Sequence, residues 1–214
     1  MKQNRGGVRM VIGIIGGVGT GKSQIAAFLG SNYNAYVIRA DQVGHEVMAK
    51  DTKAYHQIIE LFGKSILDEN GNINRKILGD IVFKDTILLN KLNNITHPLI
   101  YDEIVKQILE INNNINQYDF IILEAAIMVE AMWTKLVDVI WLITCSKEVR
   151  MQRLMNSRNL SREKIENIIS NQQSEEELQS YADVIIDNSL EIEATFQQVK
   201  IEIMKALEAK HEKN

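Results

Sequence analysis

The chain has 214 residues, of which 45 % are hydrophobic and 24 % charged, and 24 Lys+Arg against 28 Asp+Glu give a net charge of −4. That is ordinary globular usage; it excludes a disordered or collagen-like chain and gives no electrostatic footprint for nucleic acid or an anionic membrane. The single cysteine, Cys145, excludes an internal disulfide, and no apolar run reaches the roughly 20 residues a membrane span needs.

Lys2, Arg5 and Arg9 ahead of Met10–Ile15 imitate a signal peptide. The apolar run is short and breaks into Gly16-Gly17, so it reads as a buried strand entering a glycine-rich turn, and a cytoplasmic protein is expected. Next come a helix over 22–29 and a short strand over 36–38. Residues 53–110 carry a helical pattern, interrupted by turn chemistry at Asp68-Glu69-Asn70-Gly71-Asn72. His97-Pro98 reads as a boundary between two helical stretches, because proline suits the first turn of a helix. The asparagine-rich stretch 112–116 reads as a loop. Continuous apolar runs over 120–123 and 137–144 are buried strands, and between them Met128 and Met132 are expected in the core. Helices follow over 147–156 and 161–172. Ser174 with Glu177 three residues on is a capping box that opens a further short helix. A last strand over 184–186 and a helix over 191–209 close the chain.

Strands that are apolar throughout, separated by helices, indicate a parallel sheet covered on both faces. The expected fold class is therefore α/β, a three-layer α/β/α arrangement. One domain spans 1–214. Its core lies at about 8–50, 117–146 and 182–209, a helical substrate lobe at about 51–116, and a helical lid at about 147–181.

The strongest chemical signal is Gly16-Gly17-Val18-Gly19-Thr20-Gly21-Lys22-Ser23, which fits G-x-x-x-x-G-K-[ST], the phosphate-binding loop. Glycines let successive N–H groups turn inward, and the following helix adds its positive end. Gly17, Val18, Gly19, Thr20, Gly21, Lys22, Ser23 and Gln24 are the expected nucleotide contacts. Lys22 reaches the β- and γ-phosphates, and Ser23 offers a hydroxyl to Mg²⁺. A GTPase is disfavoured. Asp41-Gln42-Val43-Gly44 reads as D-x-x-G but follows Lys22 by only 19 residues, and Asn90-Lys91-Leu92-Asn93 lacks the aspartate of a guanine reader. A motor is disfavoured by length. A small kinase fits the size best.

Asp41 stands just past the second strand, at the sheet edge where ligands bind in open parallel sheets. Two readings are open: a carboxylate that takes the acceptor hydroxyl proton, or the cap of the helix that follows. Glu124 closes the third strand and either holds Mg²⁺ or is an ordinary polar strand end. Arg150 and Arg153 share a helix face, and Arg158 and Arg162 follow. At least one of the four is expected to act on phosphate.

The chain resembles the dephospho-coenzyme A kinase family from about residue 11 to 202. Residues 12–23 resemble its G-G-[IV]-G-[ST]-G-K-[ST] loop with the strand before it, and Val37-Ile38-Arg39-Ala40-Asp41 its V-I-D-A-D segment. The stretch 75–83 is similar to R-x-x-L-x-x-x-V-F, and 95–100 to L-x-H-P-x-I. Ala126-Ile127-Met128-Val129-Glu130 lies where the family has P-L-L-[FV]-E, and Arg153 and Arg158 match its R-x-x-x-x-R lid segment. Gln172 and 182–188 are similar to its Q…A-D-x-V-I-x-N tail. Arg39 reverses a charge, and Ala126 replaces a proline.

The resemblance implies phosphorylation of the ribose 3′-hydroxyl of dephospho-coenzyme A by ATP with Mg²⁺, giving coenzyme A and ADP. Asp41 is then the base, with Lys22, Arg153 and Arg158 catalytic. Asp41, Arg75, His97 and Glu130 face the acceptor, and Ser23 and Glu124 the metal. The implied partner is this small molecule, with no nucleic acid or membrane; a monomer is expected, weak self-association being the alternative. Arg39 is open to two readings, a contact to a substrate phosphate or a structural pair with Glu124. Arg39 and Ala126 also keep open a kinase of the same scaffold with another acceptor, and a non-catalytic nucleotide-binding module is the further alternative.

Overall fold

The computed structural model describes residues 9–114, 117–158 and 161–211, without the side chains of 157, 158 and 209–211. The described residues form two compact units, one made of those up to 37 together with those from 114 onward, and one of 38–113.

The first unit carries the sheet. Its strands are β1 (Met10–Ile15), β2 (Ala35–Arg39, which runs into the second unit), β3 (Phe120–Glu124), β4 (Val139–Thr144) and β5 (Val184–Asp187), in the order β2-β3-β1-β4-β5. β1 pairs in parallel with β3 and β4, and β4 with β5. β1, β3 and β4 are buried almost throughout, as their unbroken apolar text requires of central parallel strands. β5 alternates, with Ile186 buried and Ile185 half exposed, as an edge strand does. Helices α1 (Lys22–Asn32) and α9 (Ile192–His211) close on the sheet through Ile25, Leu29, Val199 and Ile203. Phe28 of α1 stacks on Phe196 of α9 at 3.9 Å between ring centroids. Three further helices, α6 (Lys147–Arg158), α7 (Arg162–Ser170) and α8 (Glu175–Gln179), lie between β4 and β5. Ser161 and Ser174 cap α7 and α8 by accepting from the backbone N–H of Lys164 and Glu177. α6 and α7 share a small core of Met151, Leu154 and Ile165.

The second unit is helical, with α2 (Ala40–Val47), α3 (Lys53–Phe62), α4 (Arg75–Val82) and α5 (Thr86–Asn113) around Ala54, Ile58, Ile66, Leu78 and Val82. Thr52 and Asn74 cap α3 and α4. Asp68 accepts from the backbone N–H of Asn70 and Asn72, each at 2.9 Å, and builds the turn its sequence announces.

Three expectations are corrected. α5 runs unbroken for 28 residues with Pro98 inside it, and its end takes in Asn112 and Asn113. The bond that Pro98 deletes would have gone to the Asn94 carbonyl; both residues are exposed, so that carbonyl meets water while Ile100 and Ile104 stay buried on the other face. Met128 is fully buried, but Met132 is 77 % exposed in a left-handed turn (φ 57°). Among the described residues no helix is long and apolar enough to cross a membrane.

Candidate active site

β1 ends at Ile15, and the six residues 16–21 turn the chain into α1. Gly21 is the N-cap of α1 at φ 98°, a left-handed conformation only glycine adopts without strain. A Cβ there would fall on the amide nitrogen of Asn188 and stand 3.8 Å from Nη1 of Arg153. No side chain caps α1, so its positive end is presented to the loop. Lys22 is buried, and its ammonium donates to the Gly17 carbonyl at 3.0 Å, lying across the loop.

Glu124 is brought beside this loop by strand register. It pairs with Ile14 across β1 and β3, and the Ala125 N–H donates to the Ile14 carbonyl at 3.1 Å. The Ser23 hydroxyl donates to Oε1 of Glu124 although 101 residues separate them. A hydroxyl and a carboxylate thus meet at the end of the loop, both hard oxygen donors of the kind Mg²⁺ selects. The described residues hold no group of three or more His, Cys, Asp or Glu that would cage a metal alone. A site for Mg²⁺ held by one or two protein oxygens together with phosphate fits these residues.

The rest of the loop is held from behind. Asn188, fully buried after β5, donates to the Thr20 carbonyl at 2.8 Å and accepts from the Thr195 hydroxyl at 2.8 Å. The tip of the loop is held by α6 and the end of α7. Arg150 Nε donates to the Val18 carbonyl at 2.6 Å, the Val18 N–H donates to Oε1 of Gln172 at 3.1 Å, and Arg150 Nη2 donates to the same Oε1. The Arg150 guanidinium lies against Gly17, where a Cβ would collide with it. Burial draws the Arg150 pKa below its ordinary value, with Cys145 and Glu175 acting the other way. Burial pushes the Cys145 thiol up, against the pull of Arg153 and Arg150.

The first unit therefore gathers Gly17, Val18, Gly19, Thr20, Gly21, Lys22, Ser23, Glu124 and Arg153 with Arg150, Gln172 and Asn188. Gln24 is exposed in the first turn of α1, and Glu130 is exposed in the turn after β3. In the second unit, Asp41 is exposed in the first turn of α2, Arg75 is the exposed first residue of α4, and His97 is half-buried within α5. Asp41 does not cap α2: Arg39 holds the N-cap position, and no side chain bonds the turn there. The Arg158 side chain lies outside the described residues. Arg162, 73 % exposed, pairs with Glu166 of its own helix at 3.1 Å.

The spacing offered four arginines and the resemblance singled out Arg153 and Arg158; of the four, Arg150 is hydrogen-bonded to the Val18 carbonyl of the loop. Helical spacing placed Arg150 and Arg153 on one face but carried nothing about which reaches the loop. Gln172 and Asn188 entered only through resemblance, because a lone amide has no spacing pattern of its own.

A phosphate loop after the central strand of a sheet ordered β2-β3-β1-β4-β5, with a strand-end acid on its hydroxyl, defines a phosphate-loop kinase. Residues 10–194 match the family model for dephospho-CoA kinase, and the chain belongs to that family. A dephospho-CoA kinase of Aquifex aeolicus is 41 % identical over 189 residues, covering 88 % of this chain and 93 % of its own. A structure of dephospho-CoA kinase from Campylobacter jejuni superposes with a TM-score of 0.68 at 25 % identity, over 94 % of this chain and 98 % of that one. A Thermus thermophilus crystal structure does so with a TM-score of 0.77 at 25 % identity, over 92 % and 98 %.

Proposed function

We propose that this chain transfers the γ-phosphoryl group of ATP to the ribose 3′-hydroxyl of dephospho-coenzyme A, giving coenzyme A and ADP. The observation that carries the reading is the convergence of Lys22, Ser23 and Glu124 on one loop in a chain of this family. Lys22 and the loop amides hold the β- and γ-phosphates. Ser23 and Glu124 hold Mg²⁺, directly or through its waters, and the ion supplies charge neutralisation when bound. Arg150, with Arg153 beside Gly21, stabilises negative charge on the transferring group. Val18 keeps its side chain and N–H turned to the helices of the lid. Asp41, an exposed carboxylate one residue into α2, accepts the proton of the attacking hydroxyl. Arg75, His97 and Glu130 contact the acceptor.

Steady-state ADP release from Mg·ATP, with and without dephospho-coenzyme A, tests the reading. Strong acceptor-dependent release is expected, and release at background with ATP still bound would refute it. Asp41→Asn should lower kcat by about 10²-fold or more while leaving ATP affinity within about threefold, in line with the weight of a general base. Unchanged turnover would remove Asp41 from the mechanism.

A further inference from the structure

Val18, at the tip of the phosphate loop, is held on every side by residues far along the chain. Its side chain packs on the core of Met151, Leu154 and Ile165. Its carbonyl takes the Arg150 Nε–H, and its N–H is given to Gln172. Gln172 stands just beyond the C-terminal residue of α7, where its own N–H donates to the Ile169 carbonyl at 3.2 Å and fixes the backbone. An amide oxygen has two lone pairs. On Gln172 one takes the Val18 N–H and the other the Arg150 guanidinium.

We propose that Gln172 is a positioning residue for phosphoryl transfer: its amide oxygen ties the loop tip to Arg150 and so fixes where that guanidinium points. The inference rests on the kinase reading above. A guanidinium has a planar fork of donors. The Val18 carbonyl and Gln172 take Nε and Nη2 and lock the plane of the fork, which leaves the head against Gly17 on the loop. Without Gln172 a single bond would remain to aim it. The role needs only an acceptor, so a carboxylate can replace the amide and an alkyl group cannot.

The test uses the full chain with Q172L, Q172E, R150M and the double variant Q172L/R150M, each checked for folding by thermal melting. Hydrogen exchange at the Val18 amide, read without substrates, should accelerate by about tenfold or more in Q172L and stay near wild type in Q172E, since exchange follows local opening. In the kinase assay Q172L should lower kcat by about tenfold or more with KM for ATP changed by less than about threefold, the pattern of a lost transition-state interaction. Q172E should recover kcat to within about threefold of wild type, and in the R150M background Q172L should add less than about twofold, because the two act as a unit. Equal factors in both backgrounds, a Q172E as impaired as Q172L, or unmoved exchange at Val18 would each overturn the proposal. A wild-type chain without acceptor-dependent turnover would refute the kinase reading instead, and the exchange result would then still decide whether Gln172 holds the loop.

Discussion

Replacing Asn188 with alanine removes one buried amide that holds two other groups. Asn188, Thr195 and Thr20 are 0 %, 0 % and 4 % exposed, so bulk water does not reach the groups this side chain serves. The Thr20 carbonyl loses its donor at 2.8 Å, and an orphaned buried group costs about 1–3 kcal/mol. The Thr195 hydroxyl loses its acceptor at 2.8 Å but keeps a weak one, the Asp187 carbonyl at 3.5 Å, so about 1 kcal/mol is appropriate there. The sum is about 2–4 kcal/mol, which for a chain of this size lowers Tm by about 5–15 °C. The lost bond also frees the Thr20–Gly21 peptide at the mouth of α1, so KM for ATP should rise by about tenfold, the effect of loosening a preorganised phosphate site. Asn188→Asp sharpens the test, since it keeps the acceptor for Thr195 but sets a carboxylate oxygen against the Thr20 carbonyl. It should be at least as damaging as alanine at neutral pH. Thermal melting with and without ATP, beside steady-state kinetics, reads both effects. A Tm within about 2 °C of wild type together with unchanged KM would refute the reasoning, since it would mean the two bonds carry almost none of their expected weight.

Gly17→Ala directs a methyl group at the Arg150 head and drives it from its place; kcat should fall by about tenfold or more in steady-state assay, as losing an arginine contact to phosphate does. Glu124→Gln keeps the size of the acceptor for Ser23 but removes its charge; the Mg²⁺ concentration needed for half-maximal rate should rise by about tenfold or more, read by titrating Mg²⁺ at fixed ATP. Cys145, buried and with its thiol pKa raised, stays protonated near neutral pH; iodoacetamide at pH 8 should label it at least about tenfold more slowly in the native chain than in denaturant. Because the folded thiol ionises at higher pH than the unfolded one, its contribution to stability is intact below the unfolded pKa and declines as pH rises above it.

The phosphate loop and the α/β class were legible because each is a local pattern. Six residues of a glycine-rich turn between an apolar strand and a helix need no partner to be recognised. Apolar runs 120–123 and 139–144 require burial on both faces wherever they are placed; the strand begins at Val139 rather than Val137, because Asp138 is exposed and accepts from the Val11 N–H. Pro98 misled because a proline inside a helix and one at its first turn leave the same local text. Which it is depends on whether the orphaned Asn94 carbonyl faces water, and packing of the opposite face decides that. Met132 misled in the same way, since hydrophobicity permits burial but does not compel it.

The sequence by itself determined the phosphate-loop motif that ends in Lys22 and Ser23 and the apolar strand before it, and it left Glu124 open between a metal ligand and an ordinary strand end. The tertiary structure alone decided which distant groups serve that loop. Parallel register sets Glu124 beside Ile14, and only then does a carboxylate reach a hydroxyl 101 residues away. Helix packing brought Arg150 rather than Arg162 to the loop, and a buried Asn188 and a turn at Gln172 fixed its two ends. The physical reason is range: turn and strand propensities act over a few residues, whereas the partners of a loop are chosen by how helices and strands bury their apolar faces.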